Sequence, residues 1–204
     1  MFAMRVYEND PCECFAPKRS NPDAYEDHSD AVIAKMHKAI SIIQFKLEGQ
    51  DILAHPEYEM NDRLLLDKLD LERGALKIGG QEYPLKDTNF PTIDPTAPYA
   101  LSPEEAKVIE GLVSSFVNCE KLQRHIEFIY KKGSMYKYYN NCLMFHGCIP
   151  MEKDGSFTTL NVYGDICSGK SLFDCCERLA RKGRYGGEGS EERRRGCDFM
   201  WYLW

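Results

Sequence analysis

The chain has 204 residues, of which 43% are hydrophobic and 28% are charged. This usage is typical of globular domains and excludes disordered, collagen-like and membrane-embedded classes. The formal net charge of −6 disfavours a nucleic-acid binder, because such proteins gather excess Lys and Arg on one surface. No apolar run approaches the roughly eighteen residues of a membrane span, and the opening does not resemble a secretory leader. We therefore expect a cytoplasmic protein that contacts neither nucleic acid nor membrane.

The first half of the chain is predicted to be mostly helical. Met1–Asp27 has no sustained period and is predicted to be irregular. From Ser29 to Gly49, apolar residues recur at three- and four-residue steps, which predicts an amphipathic helix capped at those two residues. The other predicted elements are a short helix over Asp62–Leu69, a hairpin over Ala75–Leu85 with a Gly79-Gly80 turn, a proline-rich connection over Asp87–Pro103, and a helix from Ser102 to about Lys131 with a break near Asn118.

The second half is predicted to begin with strands and to end in helices. Short aromatic and apolar runs predict paired strands on either side of Asn140-Asn141. The predicted elements are strands over Met135–Tyr139, Cys142–Phe145 and Phe157–Val162, a helix over Ser171–Lys182, a glycine-rich linker over Gly183–Gly189, and a last helix from about Ser190. The fold class is therefore predicted to be mixed α/β, in an α+β arrangement.

One segment matches the pattern of a phosphate-binding loop. Gly164–Ser171 fits G-x-x-x-x-G-K-S, in which backbone amides and Lys170 would hold phosphates and Ser171 a magnesium ion. The preceding residues, Phe157–Tyr163, alternate polar and apolar side chains, whereas the strand before a true P-loop is buried on both faces. We therefore favour a turn followed by a helix start, and keep nucleotide binding as the alternative function.

The second candidate site is a histidine at the end of a predicted strand. The apolar run that ends at Phe145 delivers His146 where Gly147 lets the backbone turn away. Imidazole is a common ligand of manganese, iron and zinc, so His146 is the best candidate metal ligand in the chain. By position alone, however, such a histidine is more often a hydrogen-bonded structural residue.

Two further side-chain groups have simpler interpretations than catalysis. Arg193, Arg194 and Arg195 are weak candidates for binding a substrate phosphate, since cations that follow Glu191 and Glu192 usually form local ion pairs. The nine cysteines contain no CxxC pair, so we predict reduced thiols rather than a zinc ribbon or disulfide framework. For Cys175 and Cys176 we predict one thiol on the apolar face of a helix and one directed away from it.

Six segments, taken in chain order, resemble class III fructose-1,6-bisphosphatases, which are related to the calcineurin-like metallophosphoesterases. They are FAMRVYENDPCECF, AKMHKAISIIQFKLEGQ, DTNFPTIDP, KLQRHIEFIYKKGSMY, NNCLMFHGCIPM and RRGCDFMWYLW. The resemblance implies hydrolysis of fructose 1,6-bisphosphate to fructose 6-phosphate, a step of gluconeogenesis, at a site of two metal ions that we expect to be manganese. It also implies that His146 binds one metal.

The resemblance also implies an organisation. Residues 1–133 are expected to form a mostly helical insertion with a small hairpin, and residues 134–204 part of a calcineurin-like sandwich. The family's other metal motifs are not in the chain, so we expect an internal fragment, inactive alone, with most metal ligands outside it. The ending Phe199–Trp204 is apolar throughout, which also favours truncation. No catalytic or sugar-binding residue is predicted, and a non-catalytic module on the same scaffold remains a third hypothesis.

Overall fold

The computed structural model describes residues 2–18 and 29–204. Over these ranges it contains six α-helices and seven short β-strands, and every strand pair is antiparallel. The chain divides into two compact units, Met1–Phe116 and Val117–Trp204, called unit 1 and unit 2. The predicted mixed α/β class, in its α+β form, is confirmed.

Unit 1 is built around one long helix. Helix α1 spans Phe2–Val6 and helix α2 spans Asp30–Ala54. The prediction of an irregular opening is therefore wrong at Phe2–Val6, because this turn belongs to a cluster that includes Ala34 and Ala39 of α2, a contact that local periodicity cannot reveal. The parts of that prediction that concern residue 1 and residues 19–27 lie outside the described residues.

The predicted helix from Ser29 is confirmed, but it ends at Ala54 rather than at Gly49. Gly49 lies inside α2 with the ring of Tyr99 packed against it, so that a Cβ atom at position 49 would overlap the ring. The glycine is therefore required for close packing rather than for ending the helix. Ser29 has the extended backbone of an N-cap, although its side chain makes no capping hydrogen bond.

The segment after α2 is less helical than predicted. Only single 3₁₀ turns, Asn61–Arg63 and Leu66–Lys68, form within the predicted helix Asp62–Leu69. The backbone is extended at Leu64 between the turns, and this places both Leu64 and Leu66 in the core. Burial of two leucines that are two positions apart therefore overrides the helical pattern.

A three-stranded meander and a capped helix complete unit 1. The strands are β1 (Leu69–Asp70), β2 (Ala75–Ile78) and β3 (Gln81–Pro84), in the order β1-β2-β3. The predicted hairpin is confirmed, and Gly79 and Gly80 take positive φ angles of 57° and 81° in its turn. Helix α3 (Pro103–Val117) begins with the predicted capping box, in which the Ser102 amide donates to Glu105 (2.7 Å) and the Glu105 amide donates to the Ser102 hydroxyl (3.2 Å).

Unit 2 consists of two hairpins and three helices. Helix α4 spans Glu120–Lys132, so the predicted break near Asn118 is confirmed. The remaining elements are β4 (Tyr136–Tyr139), β5 (Cys142–Phe145), β6 (Thr159–Val162), β7 (Asp165–Ser168), α5 (Gly169–Tyr185) and α6 (Glu191–Leu203). Helix α5 thus continues through Gly183, where a linker was predicted. The predicted domain boundary after residue 133 stays a prediction.

The core of unit 2 lies between the β6–β7 hairpin and the helix pair α5–α6. Its buried members are Val162, Cys167, Leu172, Cys175, Cys176, Leu179 and Phe199. The two helices approach closely at Gly183 and Gly196, where a Cβ atom on Gly196 would lie 2.5 Å from the Leu179 carbonyl oxygen and 2.7 Å from the Gly183 Cα. Only glycine at position 196 permits this contact.

Candidate functional site

His146 directly follows strand β5, where the sequence placed it. The β4–β5 hairpin turns at Asn140 and Asn141, which take φ angles of 47° and 57°. The cross-strand pair Tyr136 and Phe145 packs against Phe173 of α5, with ring centroids 6.2 and 5.9 Å from that of Phe173. The hairpin is therefore anchored at the end from which His146 projects.

The surroundings of His146 leave its imidazole exposed. Gly147 follows with a φ of 83°, a conformation that favours glycine, so the chain turns away sharply after the histidine. Among residues 2–18 and 29–204, no group of three or more His, Cys, Asp and Glu side chains is arranged to hold a metal ion. Imidazole suits manganese, iron or zinc, so the described residues fit a metal site as the source of one ligand and not as a complete site.

The P-loop interpretation of Gly164–Ser171 is wrong. Asp165–Ser168 forms strand β7, paired with β6 in the register Val162↔Asp165 to Thr159↔Ser168, so the backbone that would cradle a phosphate belongs to a hairpin ladder. The match arose because a hairpin turn and a helix start both use glycine, at φ angles of 96° for Gly164 and 49° for Gly169.

The two polar side chains of that motif are also engaged. Lys170 Nζ lies 2.6 Å from Asp174 Oδ2, one helical turn away, and 5.4 Å from the centre of the Tyr136 ring. The Asp174 hydrogen bond, followed by Tyr136, raises the pKa of Lys170. Ser171 Oγ completes the capping box of α5 by accepting from the Ser168 amide at 2.9 Å. The motif therefore starts a helix.

The three arginines lie in the first turns of α6. Arg194 pairs with Asp198 at 3.1 Å and Arg195 with Glu191 at 2.5 Å, both at i,i+4 spacing. The Arg193 amide donates to the Ser190 hydroxyl, 3.2 Å away, as part of the helix cap. These contacts are those of a solvated helix face, and the proposed phosphate contact by Arg193–Arg195 stays a prediction.

An open cleft of about 750 Å³ crosses unit 2 beside α5. Its cations are already paired: Arg181 with Glu177 (2.8 Å), Lys182 with Glu192 (2.6 Å), and Arg178 with Asp165 (2.6 Å). Arg181 also donates to the backbone oxygens of Tyr130 and Gly133. Each of these positive charges thus lies beside a neighbouring carboxylate.

The cysteines are free thiols, as predicted. The prediction for the adjacent pair is wrong in one respect, since Cys175 and Cys176 are both buried, each with 3% exposure. Burial raises the pKa of Cys175 to about 11, with the Cys167 thiol next in effect. The hairpin and α6 cover both sides of α5 at this point, so neither thiol is a candidate nucleophile.

Two fully buried lysines of α2 were missed from the sequence. The Lys38 and Lys46 side chains are fully buried and pair with acidic residues: Lys38 with Asp10 and Asp87, and Lys46 with Glu105. A signal was available, because both lysines lie on the apolar face of α2, near Ile42 and Ile43. Lysine is almost never buried without a partner, so their position implied distant carboxylates.

The described helices also bear on the membrane question. None of them combines the length and the apolar character that crossing a bilayer requires.

The fold and site thus define an α+β chain that presents a histidine at a strand end beside a glycine turn. The family model described as Firmicute fructose-1,6-bisphosphatase matches residues 1–204, and the chain belongs to this family.

Individual relatives agree with this assignment. The fructose-1,6-bisphosphatases class 3 of Clostridium novyi (strain NT) and Clostridium tetani (strain Massachusetts / E88) are each 52% identical over 100% of this chain. The protein of the same description from Listeria innocua serovar 6a is 46% identical over 100% of the chain. The chain spans only 30%, 30% and 31% of the length of these three relatives. No solved structure gives a significant match.

Proposed function

We propose that the full-length protein hydrolyses the 1-phosphate of fructose 1,6-bisphosphate, giving fructose 6-phosphate and inorganic phosphate. The observation that carries the proposal is the match of residues 1–204 to proteins described as fructose-1,6-bisphosphatase class 3. In the reaction, water adds to phosphorus as the bond to the sugar oxygen breaks, and that oxygen takes up a proton. The proposal includes a cytoplasmic location and a step of gluconeogenesis.

The proposed role of His146 is to hold one of two metal ions, taken to be manganese. Metal ions in such a pair supply a clamp on the phosphoryl oxygens and acidify the attacking water. His146 suits the role because it is exposed at the end of an anchored hairpin. The backbone turns at Gly147, so the chain that follows is directed away from the imidazole. Residues 2–18 and 29–204 contain no complete metal site, so we propose that residues 1–204 alone are inactive.

Exposed apolar and aromatic side chains on the β4–β5 hairpin favour the proposal that it belongs to a larger sheet. Tyr138, Tyr139 and Leu143 are 65%, 62% and 51% exposed. Over the described residues, β4 and β5 pair only with each other, and an isolated two-stranded hairpin is marginally stable. We propose that this hairpin belongs to a calcineurin-like sandwich completed by other parts of the full-length protein.

Phosphate release from fructose 1,6-bisphosphate by the full-length protein, with and without Mn²⁺, tests the activity. His146→Ala should lower turnover sharply at limiting Mn²⁺ with an unchanged circular-dichroism spectrum, since a ligand is removed from an exposed position. His125→Ala is the matched control, because His125 is an exposed histidine on α4. Normal metal dependence in His146→Ala would show a structural histidine. If the wild-type protein released no phosphate with any divalent metal, this result would instead indicate a non-catalytic module.

A further inference from the structure

Lys38 carries a positive charge in the interior of unit 1. Its side chain is completely buried, and its Nζ lies 2.6 Å from Asp10 Oδ2 and 2.7 Å from Asp87 Oδ2. The two carboxylates belong to segments that lie 28 and 49 positions away along the chain. One ammonium group therefore joins α2 to both the N-terminal segment and the connection that follows the meander.

Three aromatic rings complete the surroundings of this ammonium group. Its distances to the ring centres are 5.0 Å for Tyr7, 5.0 Å for Phe90 and 5.8 Å for Phe15. Aromatic faces within about 6 Å attract cations, among them the ammonium group of lysine, and aromatic cages are used to recognise quaternary ammonium ligands. The cation cage, as we call it, consists of Asp10, Asp87, Tyr7, Phe15 and Phe90.

The carboxylates of the cation cage are held in place by groups other than the lysine. Asp10 accepts from the Cys12 amide at 2.7 Å and from the Asn89 side-chain amide at 2.8 Å, and Asp87 accepts from the Asn89 amide at 3.0 Å. Burial by itself would raise the pKa of Asp10, but hydrogen bonds from Lys38, Cys12 and Asn89 lower it to about 2. The cage is therefore anionic and preorganised for a cation.

We infer that the cation cage is a binding site for a primary alkylammonium ion and that the Lys38 side chain is its covalently tethered ligand. By binding there, Lys38 holds residues 2–15 and 87–90 against α2. The inference does not depend on the proposed phosphatase activity, because every group that carries it lies in unit 1. A lysine side chain beyond Cβ has the size of propylammonium. The cage should consequently take up free propylammonium when the tethered ligand is removed.

The test is chemical rescue in the full-length protein. In Lys38→Ala, amide hydrogen exchange should accelerate by roughly tenfold or more in peptides over residues 2–18 and 85–95, because a buried charge pair is broken. Propylammonium at millimolar concentration should restore slow exchange in those peptides. The same concentration of 1-propanol, which has the same size but no charge, should not. Lys131→Ala, an exposed lysine of α4 paired with Glu127, is the control and should leave these peptides unchanged.

Two results would overturn the inference. Equal rescue by 1-propanol would show that the additive fills the space without recognition of its charge. Unchanged hydrogen exchange in Lys38→Ala would show that Lys38 does not hold these segments against α2. If unit 1 of Lys38→Ala is unfolded, the test is whether propylammonium refolds it. Refolding by propylammonium but not by 1-propanol would support the inference, and equal refolding by both would contradict it. Asp87→Asn provides a milder variant, which should accelerate exchange in the same peptides and respond to neither additive.

Discussion

The two units of the chain are stabilised by different kinds of core. In unit 1, helix α2 buries Lys38 and Lys46 among carboxylates, and Glu105 is only 1% exposed. In unit 2, the core between α5, α6 and the β6–β7 hairpin consists of aliphatic, aromatic and thiol groups, while the ion pairs are exposed on its surface. Charge placement therefore matters most in unit 1, and packing volume matters most in unit 2.

The largest effect is expected from breaking the Lys46–Glu105 pair of unit 1. Lys46 Nζ lies 2.7 Å from Glu105 Oε2 and 2.5 Å from the Thr92 carbonyl oxygen. Lys46→Met should lower the free energy of opening of unit 1 by about 3–5 kcal/mol, because Glu105 is left buried and unpaired. Hydrogen exchange of α2 peptides measures this loss.

The double variant Lys46→Met/Glu105→Gln is the matched control. The glutamine keeps an oxygen for the Ser102 amide, so the helix cap survives while both charges are gone. We expect it to be more stable than Lys46→Met alone. A double variant as unstable as the single one would show that shape, and not an unpaired charge, accounts for the loss.

The matching perturbation of unit 2 is a change of volume at Gly196. Gly196→Ala places a methyl group against the backbone of α5 at Leu179 and Gly183. We expect a loss of about 1–3 kcal/mol, the usual cost of overpacking, and faster alkylation of Cys175 and Cys176 as the helices separate. Mass spectrometry after a timed exposure to N-ethylmaleimide measures the labelling rate of each thiol.

Gly111→Ala serves as its control. Gly111 lies within α3, and a Cβ atom there would meet no atom within 4 Å. Alanine at an open helical position stabilises by about 0.4–1 kcal/mol. If both substitutions raise the labelling rate equally, the close contact between α5 and α6 does not limit access to the thiols.

The difference between the units also explains what could be predicted from the sequence. Local patterns revealed α2, the Gly79-Gly80 and Asn140-Asn141 turns, and the strand that presents His146. They missed the charged core, because the position of Lys46 on the apolar face of α2 implies a buried acidic partner but does not show that this partner is Glu105, 59 positions away. They also left two interpretations of Gly164–Ser171, a phosphate-binding loop and a turn followed by a helix start. The pairing of β7 with β6 distinguishes between them. The proposed metal site at His146 could not be assembled from the sequence, because the described residues contain no group of three or more His, Cys, Asp and Glu side chains arranged to hold a metal ion.

Acid should destabilise unit 1 more than unit 2. The difference in stability should be smaller than the effects of the substitutions above. The pKa of Asp10 is lowered to about 2 and that of Glu105 is lowered, in both cases by hydrogen bonds that outweigh burial. A lowered pKa stabilises the fold above the ordinary pKa of the carboxyl group, and this stability is lost as the pH falls through the folded value. Unit 1 should therefore lose about 2 kcal/mol from Asp10 alone between about pH 5 and pH 2.

Pepsin, which is active in this pH range, can report the difference. Cleavage of the full-length protein at decreasing pH, mapped by mass spectrometry, should begin in residues 2–18 and 85–105 before it reaches α5 or α6. The paired carboxylates of unit 2 lie at the surface, with at least 21% of each side chain exposed, and surface pairs contribute little to stability. First cleavage within α5 would contradict the assignment of acid sensitivity to unit 1.

The smallest effect is expected at Lys170, the residue that the phosphate-loop pattern singled out. Its pair with Asp174 is exposed, with 71% and 48% of the two side chains accessible, and solvent screening leaves such pairs little influence on stability. Lys170→Ala should therefore leave the thermal unfolding of the full-length protein unchanged, together with the proposed hydrolysis of fructose 1,6-bisphosphate and its proposed dependence on Mn²⁺. Because β7 occupies the backbone that would have to cradle a phosphate, ATP should bind neither the wild-type protein nor the variant in equilibrium dialysis. ATP binding that disappears in Lys170→Ala would restore the nucleotide hypothesis and would require β7 to leave its hairpin.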